Sequence, residues 1–138
     1  SVNILDLTAP DSFPITIGAG NRGDVISAIR FSPDNKRLFY ITGGNEGENN
    51  SLFYIDIATA TETRVIRGRF TGDILLSSDG NSAALMEWEL TETPRQPNIL
   101  HVSLVNISSG QSTRLFSGGT FADGVVTGSR FAYLLWWR

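Results

Sequence analysis

A chain of 138 residues is one domain's worth, long enough to bury roughly two-thirds of the surface that its unfolded form exposes. The absence of Cys excludes disulfides, thiolate metal sites and thiol catalysis. With 11 basic and 14 acidic side chains the net charge is -3, too mild and too evenly spread to call for nucleic acid or a membrane surface.

The first predicted elements are two short strands. Leu5-Asp6-Leu7 places one polar residue between two apolar ones, Thr8-Ala9-Pro10 is a polar turn, and a second strand runs through Ile15 to Gly18. A Gly-rich loop, Gly18 to Asp24, follows. Ala28 to Phe31 then alternates into a strand, and Pro33-Asp34-Asn35 supplies a fixed backbone angle and short polar side chains suited to a tight turn. Arg37 to Ile41 runs apolar and aromatic, as a strand buried on both faces does. Fourteen Gly and the absence of sustained helical periodicity make the chain all-β, a single domain over residues 1–138.

The chain echoes itself. Ile55-Asp56-Ile57 through Ile66 lies over Val105-Asn106-Ile107 through Phe116 without a gap, at an offset of 50 residues, and the same offset backwards reaches Leu5-Asp6-Leu7. Gly18, Gly68 and Gly118 keep step. The turn unit recurs as Leu76-Ser77-Ser78-Asp79-Gly80, followed by a strand from Ala83 to Leu90. A third, shortened copy runs from Val125 to Trp136 and lacks the Asp. With the four strands of a unit named a to d, the chain reads as c and d, two full units, then a and b. The end fragments are complementary halves of one sheet.

An apolar strand, Ser32-Pro33-Asp34-Asn35, a basic pair, an apolar strand and then Asp56 at the polar step resembles the TolB-type, tryptophan-aspartate-like propeller repeat. Ala28 to Ile66 carries the resemblance best. It implies β-propeller blades of four-stranded antiparallel sheets, about three blade equivalents in all. Closed rings have roughly four to eight blades. The expectation is therefore half of a six-bladed ring, completed by a homodimer, or part of a larger propeller.

In such a ring the d-a and b-c connections share one face, and here they are the longest and most polar loops. Candidate ligand-binding residues on that face are Arg22, Asp24, Asn45, Glu46, Glu48, Arg67, Arg69, Asp73 and Asp123. Asp24, Asp73 and Asp123 recur before their a strands; converging carboxylates can hold a cation, and the competing reading is a loop Asp that bonds its own backbone. Gly43 to Asn50 is rich in oxygen donors without the spacing of a calcium loop, so no metal site is assigned. Arg64, Arg67 and Arg69 form the one basic cluster, able to grip an acidic partner or simply to face solvent. Arg22-Gly23-Asp24 spells an adhesion tripeptide, a match that chance supplies readily.

Chemistry finds no foothold. The one histidine, His101, falls on the strand face opposite Leu100 and Leu104 and is expected to be exposed, and no nucleophile elbow, phosphate loop or paired histidines exist. Trp88 and Trp136 occupy corresponding strand positions and are expected in the core. No cofactor is implied and no catalytic residue is assigned. The longest apolar run, Phe131 to Trp137, is far short of a membrane span. Two functions follow from the resemblance. One is a non-catalytic interaction module that binds a protein or peptide through the d-a and b-c face. The other is the propeller portion of a larger enzyme, such as a prolyl-oligopeptidase-like serine peptidase, and a reading frame continuing past Arg138 would favour it.

Overall fold

A computed structural model describes residues 2–5, 13–17, 25–43, 50–89, 98–122 and 125–127. They form eleven strands: β1 (Val2–Ile4), β2 (Ile15–Ile17), β3 (Val25–Phe31), β4 (Arg37–Gly43), β5 (Asn50–Asp56), β6 (Thr61–Gly68), β7 (Phe70–Leu76), β8 (Ser82–Glu89), β9 (Asn98–Asn106), β10 (Ser112–Ala122) and β11 (Val125–Thr127). All pairings are antiparallel. β3-β4-β5-β6 is one sheet, β7-β8-β9-β10 with β11 is a second, and β1-β2 is a hairpin of its own. Among the described residues no helix is long and apolar enough to cross a membrane.

The two expected full units are thus the two large sheets. The third unit departs from expectation. Val125–Thr127 turns back and pairs with Thr120 to Ala122 of β10, so it extends the second sheet and does not join β1-β2. The strand expected beyond it lies outside the described residues.

The turn motif does the same job twice, through its serine. Ser32 Oγ donates to Asp34 Oδ1 at 2.6 Å and accepts the Arg37 amide at 2.9 Å, while Asp34 Oδ1 also accepts the Lys36 amide at 3.1 Å. The second copy repeats this with Ser77, Asp79 and Ser82 at 2.6 and 3.0 Å, and Asn81 in place of Lys36 at 3.0 Å. Position 35 or 80 must take positive φ, 57° for Asn35 and 68° for Gly80, which Asn and Gly tolerate best. Pro33 becomes Ser78 without harm, because the closing bonds come from the residues around it. At the other hairpins, Asp56 Oδ1 accepts the Thr59 amide at 3.0 Å and Asn106 Oδ1 accepts the Ser109 amide at 3.0 Å. The polar step of the repeat is a turn acceptor.

β4 is buried on both faces, as its composition predicts. Phe39, Ile41 and Leu52 face the second sheet and pack with Phe70, Ile74, Ala83, Leu85, Val105 and Ile107. Leu38, Tyr40 and Ile55 face the other way, against Ile26, Phe53 and Ile4 of β1. The period of two along β4 therefore sends alternate side chains to two different neighbours, which is how a middle layer in a stack of sheets is specified. Burial first, and then the Glu62 carboxylate that accepts its hydrogen bond, push the Tyr40 hydroxyl well above the ordinary tyrosine range.

The sheets meet mainly along β3 and β7, their first strands, as blades converging on an axis do. Arg37 reaches across to donate to the Gly80 carbonyl at 3.2 Å, its guanidinium 5.5 Å from the ring centres of both Phe39 and Tyr54. Gly110 closes a second contact. Its φ is +67°, and a Cβ there would stand 2.4 Å from the Val65 carbonyl oxygen of the first sheet. The equivalent position one unit earlier is Ala60, with φ 53°. Opposite effects are expected. Gly110→Ala loses about 2 kcal/mol to backbone strain and this clash, whereas Ala60→Gly gains about 0.5 kcal/mol by relieving a left-handed alanine. Urea unfolding of the two variants beside the parent checks the pair.

Candidate functional site

The connection from the first sheet to the second is one residue long. β6 ends at Gly68 and β7 begins at Phe70, so the expected Arg67 to Asp73 loop is mostly strand. Two devices hold this crossing. The Asn50 side chain accepts the Phe70 amide at 2.7 Å and donates to the Phe70 carbonyl at 2.5 Å. Trp88 donates its amide to the Arg69 carbonyl at 2.9 Å.

Asp73 accordingly lies within β7, not at a loop tip. Its carboxylate pairs with Arg30 of β3 across the two inner strands, both side chains about half exposed, and its other oxygen accepts the Ile74 amide at 2.9 Å. It behaves as a strut between blades, which corrects its expected position in a loop. Arg22, Asp24, Asn45, Glu46, Glu48 and Asp123 lie outside the described residues. Arg67 and Arg69 do line one cleft. Arg64 does not join them; it faces a separate cleft beside Tyr54 and Gly110, so the basic cluster divides.

The Arg67 and Arg69 cleft encloses about 360 Å³ and is completed by Gly68, Glu87, Trp88, Glu89 and Arg114. Its floor follows from alternation along β8 and β9. Ala83 and Leu85 of β8, with Val105 of β9, belong to the apolar layer between the sheets, and the same strand faces continue into Glu87, Glu89, His101 and Ser103. The space between blades therefore changes from apolar near the a-b turns to polar near the d-a connection. Trp88, expected in the core, is half-buried in the wall of this cleft.

His101 overturns the sequence expectation most plainly. It is 2 % exposed. Nε2 lies 2.6 Å from Glu89 Oε2, and Nδ1 lies 2.6 Å from Ser117 Oγ. An ionised carboxylate only accepts, so Nε2 carries the proton toward Glu89 and Nδ1 is free to accept from the serine. Serine, histidine and carboxylate in line have the members of a nucleophilic set. Here, however, the ring is closed in by its cross-strand neighbours, and its effect is to hold Glu89 in place. Glu89 also accepts from Arg114 at 3.1 Å, and Glu87 accepts from Ser103 at 3.2 Å. The hydrogen bond from His101, and after it the Arg114 charge, hold the Glu89 carboxyl below its ordinary value.

The arginines divide by partner. Arg30 and Arg114 have carboxylates; Arg67 and Arg69 make no ion pair among the described residues, and Arg69 Nε is buried with no hydrogen-bond acceptor. Among the described residues no three His, Asp or Glu side chains gather as metal ligands. The cleft is lined by three arginines, Arg67, Arg69 and Arg114, against two glutamates, Glu87 and Glu89.

Acid should loosen the fold in a sign that these carboxylates fix. The serine hydroxyls, and after them backbone amides, hold Asp34 and Asp79 below the ordinary 3.8, and Glu89 is depressed as above. A lowered folded pKa contributes stability that is present above the unfolded value and is lost as pH falls through the folded one. The urea midpoint is therefore expected to hold from neutrality down to about pH 4 and to fall below it, less steeply in Asp34→Asn/Asp79→Asn. An unchanged acid slope in that double variant would contradict the turn roles.

No protein-family model matches the sequence, and no curated protein matches it. Solved structures do resemble it. An oligogalacturonate lyase in complex with manganese is matched with a TM-score of 0.62 at 23 % identity, over 83 % of this chain and 33 % of that one. The acylaminoacyl peptidase of Pyrococcus horikoshii gives 0.54 at 14 % identity, over 70 % and 19 %. TolB of Acinetobacter baumannii gives 0.51 at 19 %, over 67 % and 21 %. The chain thus spans a third or less of the proteins it resembles. At these identities the likeness concerns fold alone. Four-stranded antiparallel sheets meeting along their first strands, and matching one stretch of those longer chains, show a β-propeller fold like that of the corresponding stretches.

Proposed function

We propose that the chain serves as a non-catalytic interaction module, binding a protein or peptide across the face that carries the d-a and b-c connections. One observation carries the reading: the cleft on that face is lined by Arg67 and Arg69, which have no carboxylate partner among the described residues, at a crossing held between the blades. Unsatisfied guanidinium donors on a rigid backbone are among the elements from which peptide sites are built. The rest of a propeller, or a second copy, is the natural companion of the exposed apolar side chains Val25, Ile29 and Phe31 of β3 and Leu5 and Phe13 beside β1 and β2.

The test is selection from a random peptide library on the immobilised protein. Selected peptides are expected to lose binding to Arg67→Ala and to keep it for Lys36→Ala, a residue of the opposite a-b turn. Peptides insensitive to Arg67→Ala would move the site elsewhere. The second reading, a propeller portion of a larger enzyme, draws support from the lyase and peptidase likenesses. A continuous reading frame encoding a catalytic domain next to this chain would favour it over the first.

A further inference from the structure

We infer that the cleft between the blades is a carboxylate site for an acidic peptide, with Arg67 and Arg69 supplying the fork and Arg114 held back by Glu89; this rests on the interaction-module reading above. Three observations converge on it. Arg69 Nε is shielded from solvent without an acceptor, and a guanidinium hydrogen so placed costs free energy until an acceptor arrives. Arg67 has no carboxylate in ion-pair range among the described residues, although the protein as a whole carries a net charge of -3 and has acids to spare. The two acids of the cleft are already engaged, Glu89 by His101 and Arg114 and Glu87 by Ser103, so their charges are answered from below.

Geometry makes the pair a site and not two loose side chains. Arg67 and Arg69 bracket Gly68, where even a Cβ would meet the buried Phe70 ring at 2.5 Å. No larger residue fits at that step. Asn50 fixes Phe70 from one side and the Trp88 amide fixes the Arg69 carbonyl from the other, so the crossing is set before a ligand binds. Planar forks on a fixed backbone favour the flat two-oxygen carboxylate. His101 and Ser117 act one layer down, by keeping Glu89 on Arg114 and out of the incoming acid's place.

The experiment is calorimetric titration of the whole chain with acetylated hexaglutamate and hexaglutamine peptides. Hexaglutamate is expected to bind and hexaglutamine not. Arg69→Gln and Arg67→Gln are each expected to weaken hexaglutamate about tenfold, the loss that follows from one charged hydrogen-bonding partner. Arg64→Gln, in the other cleft, is expected to stay within about twofold. Arg67 is exposed, so its variant stands in should Arg69→Gln fail to fold. Arg69→Lys keeps the charge and removes the Nε hydrogen; wild-type affinity in it would overturn the proposal. So would equal losses in all variants, absence of hexaglutamate binding, or inorganic phosphate displacing the peptide mole for mole. Library peptides that still require Arg67 while hexaglutamate fails would leave the module reading standing and remove the carboxylate assignment alone.

Discussion

Replacing Phe39 by alanine is expected to lower the free energy of unfolding by about 3–5 kcal/mol. The ring is fully buried in β4 and stands at the junction of the two sheets, 5.6 Å from the ring of Tyr54 and packed in the layer that contains Phe70, Ile74 and Leu85. Truncation removes the transfer free energy of a phenyl group and opens a cavity that two β-sheets, each held by its own ladder, cannot collapse to fill. The Arg37 guanidinium, set over both aromatic rings, loses one of them as well. For a domain whose whole stability is on the order of 5–15 kcal/mol, this brings the variant close to unfolding at room temperature. Phe31→Ala is the control. Phe31 is half exposed in β3 and should cost about 1 kcal/mol or less. Comparable losses in the two variants, read by urea unfolding, would mean that the sheets are not stacked through β4.

That contrast was legible in the sequence because the relevant signals are local. Leu38-Phe39-Tyr40-Ile41 has no polar alternation, and a strand without a polar face needs cover on both sides. Ser32-Pro33-Asp34-Asn35 and Ser77-Ser78-Asp79-Gly80 encode their turns within six residues, so the motif carries its own geometry. The echo at an offset of 50 residues works for the same reason, since both copies place an acceptor, Asp56 or Asn106, before a residue of positive φ.

The cleft was only half legible, because its parts are long-range. Arg67 and Arg69 declare themselves as basic residues beside a glycine. Their relation to Glu87, Glu89 and Arg114 depends on which strands follow them around the axis, and alternation alone cannot give that. His101 shows the limit sharply. Its pattern with Leu100 and Leu104 does put it on the other strand face, but β9 is an interior strand whose second face looks at the neighbouring blade. Its partners Glu89 and Ser117 come from the strands on either side. Asp73 departs from its expected loop position for a related reason. A recurring Asp before an a strand suggests a channel mouth, yet here Gly68 and Asn50 bring β7 in so early that the residue already lies within the strand, at the register shift between Thr71 and Leu75, paired with Arg30. A signal for this existed: a glycine at 68 followed directly by an aromatic at 70 leaves little chain for a loop.

Asn50→Ala is expected to cost about 3 kcal/mol, more than its half-buried position suggests. The side chain is the acceptor for the amide of Phe70 and the donor for its carbonyl, at 2.7 and 2.5 Å, so both backbone groups of a residue that is 4 % exposed lose their partner together. Two buried backbone groups left unanswered each cost about 1–3 kcal/mol, and β7 has just begun at that point, so no ladder bond stands ready to replace them. Asn50→Asp separates the two bonds. The carboxylate can still accept the amide, but it sets a charge against the Phe70 carbonyl, so at neutral pH the variant should be no more stable than Asn50→Ala. Protonation restores a donor. The stability of Asn50→Asp is then expected to rise as pH falls toward 4, while that of the parent chain holds, because this carboxyl is neutral in the folded state that it suits. Urea midpoints of the parent and both variants at neutral pH and at about pH 4 decide the matter: an Asn50→Asp midpoint that does not rise relative to the parent would mean that the side chain at position 50 does not clasp the crossing. Since Arg69 hangs between Gly68 and Phe70, loosening that clasp also frees the guanidinium whose placement makes the cleft a site.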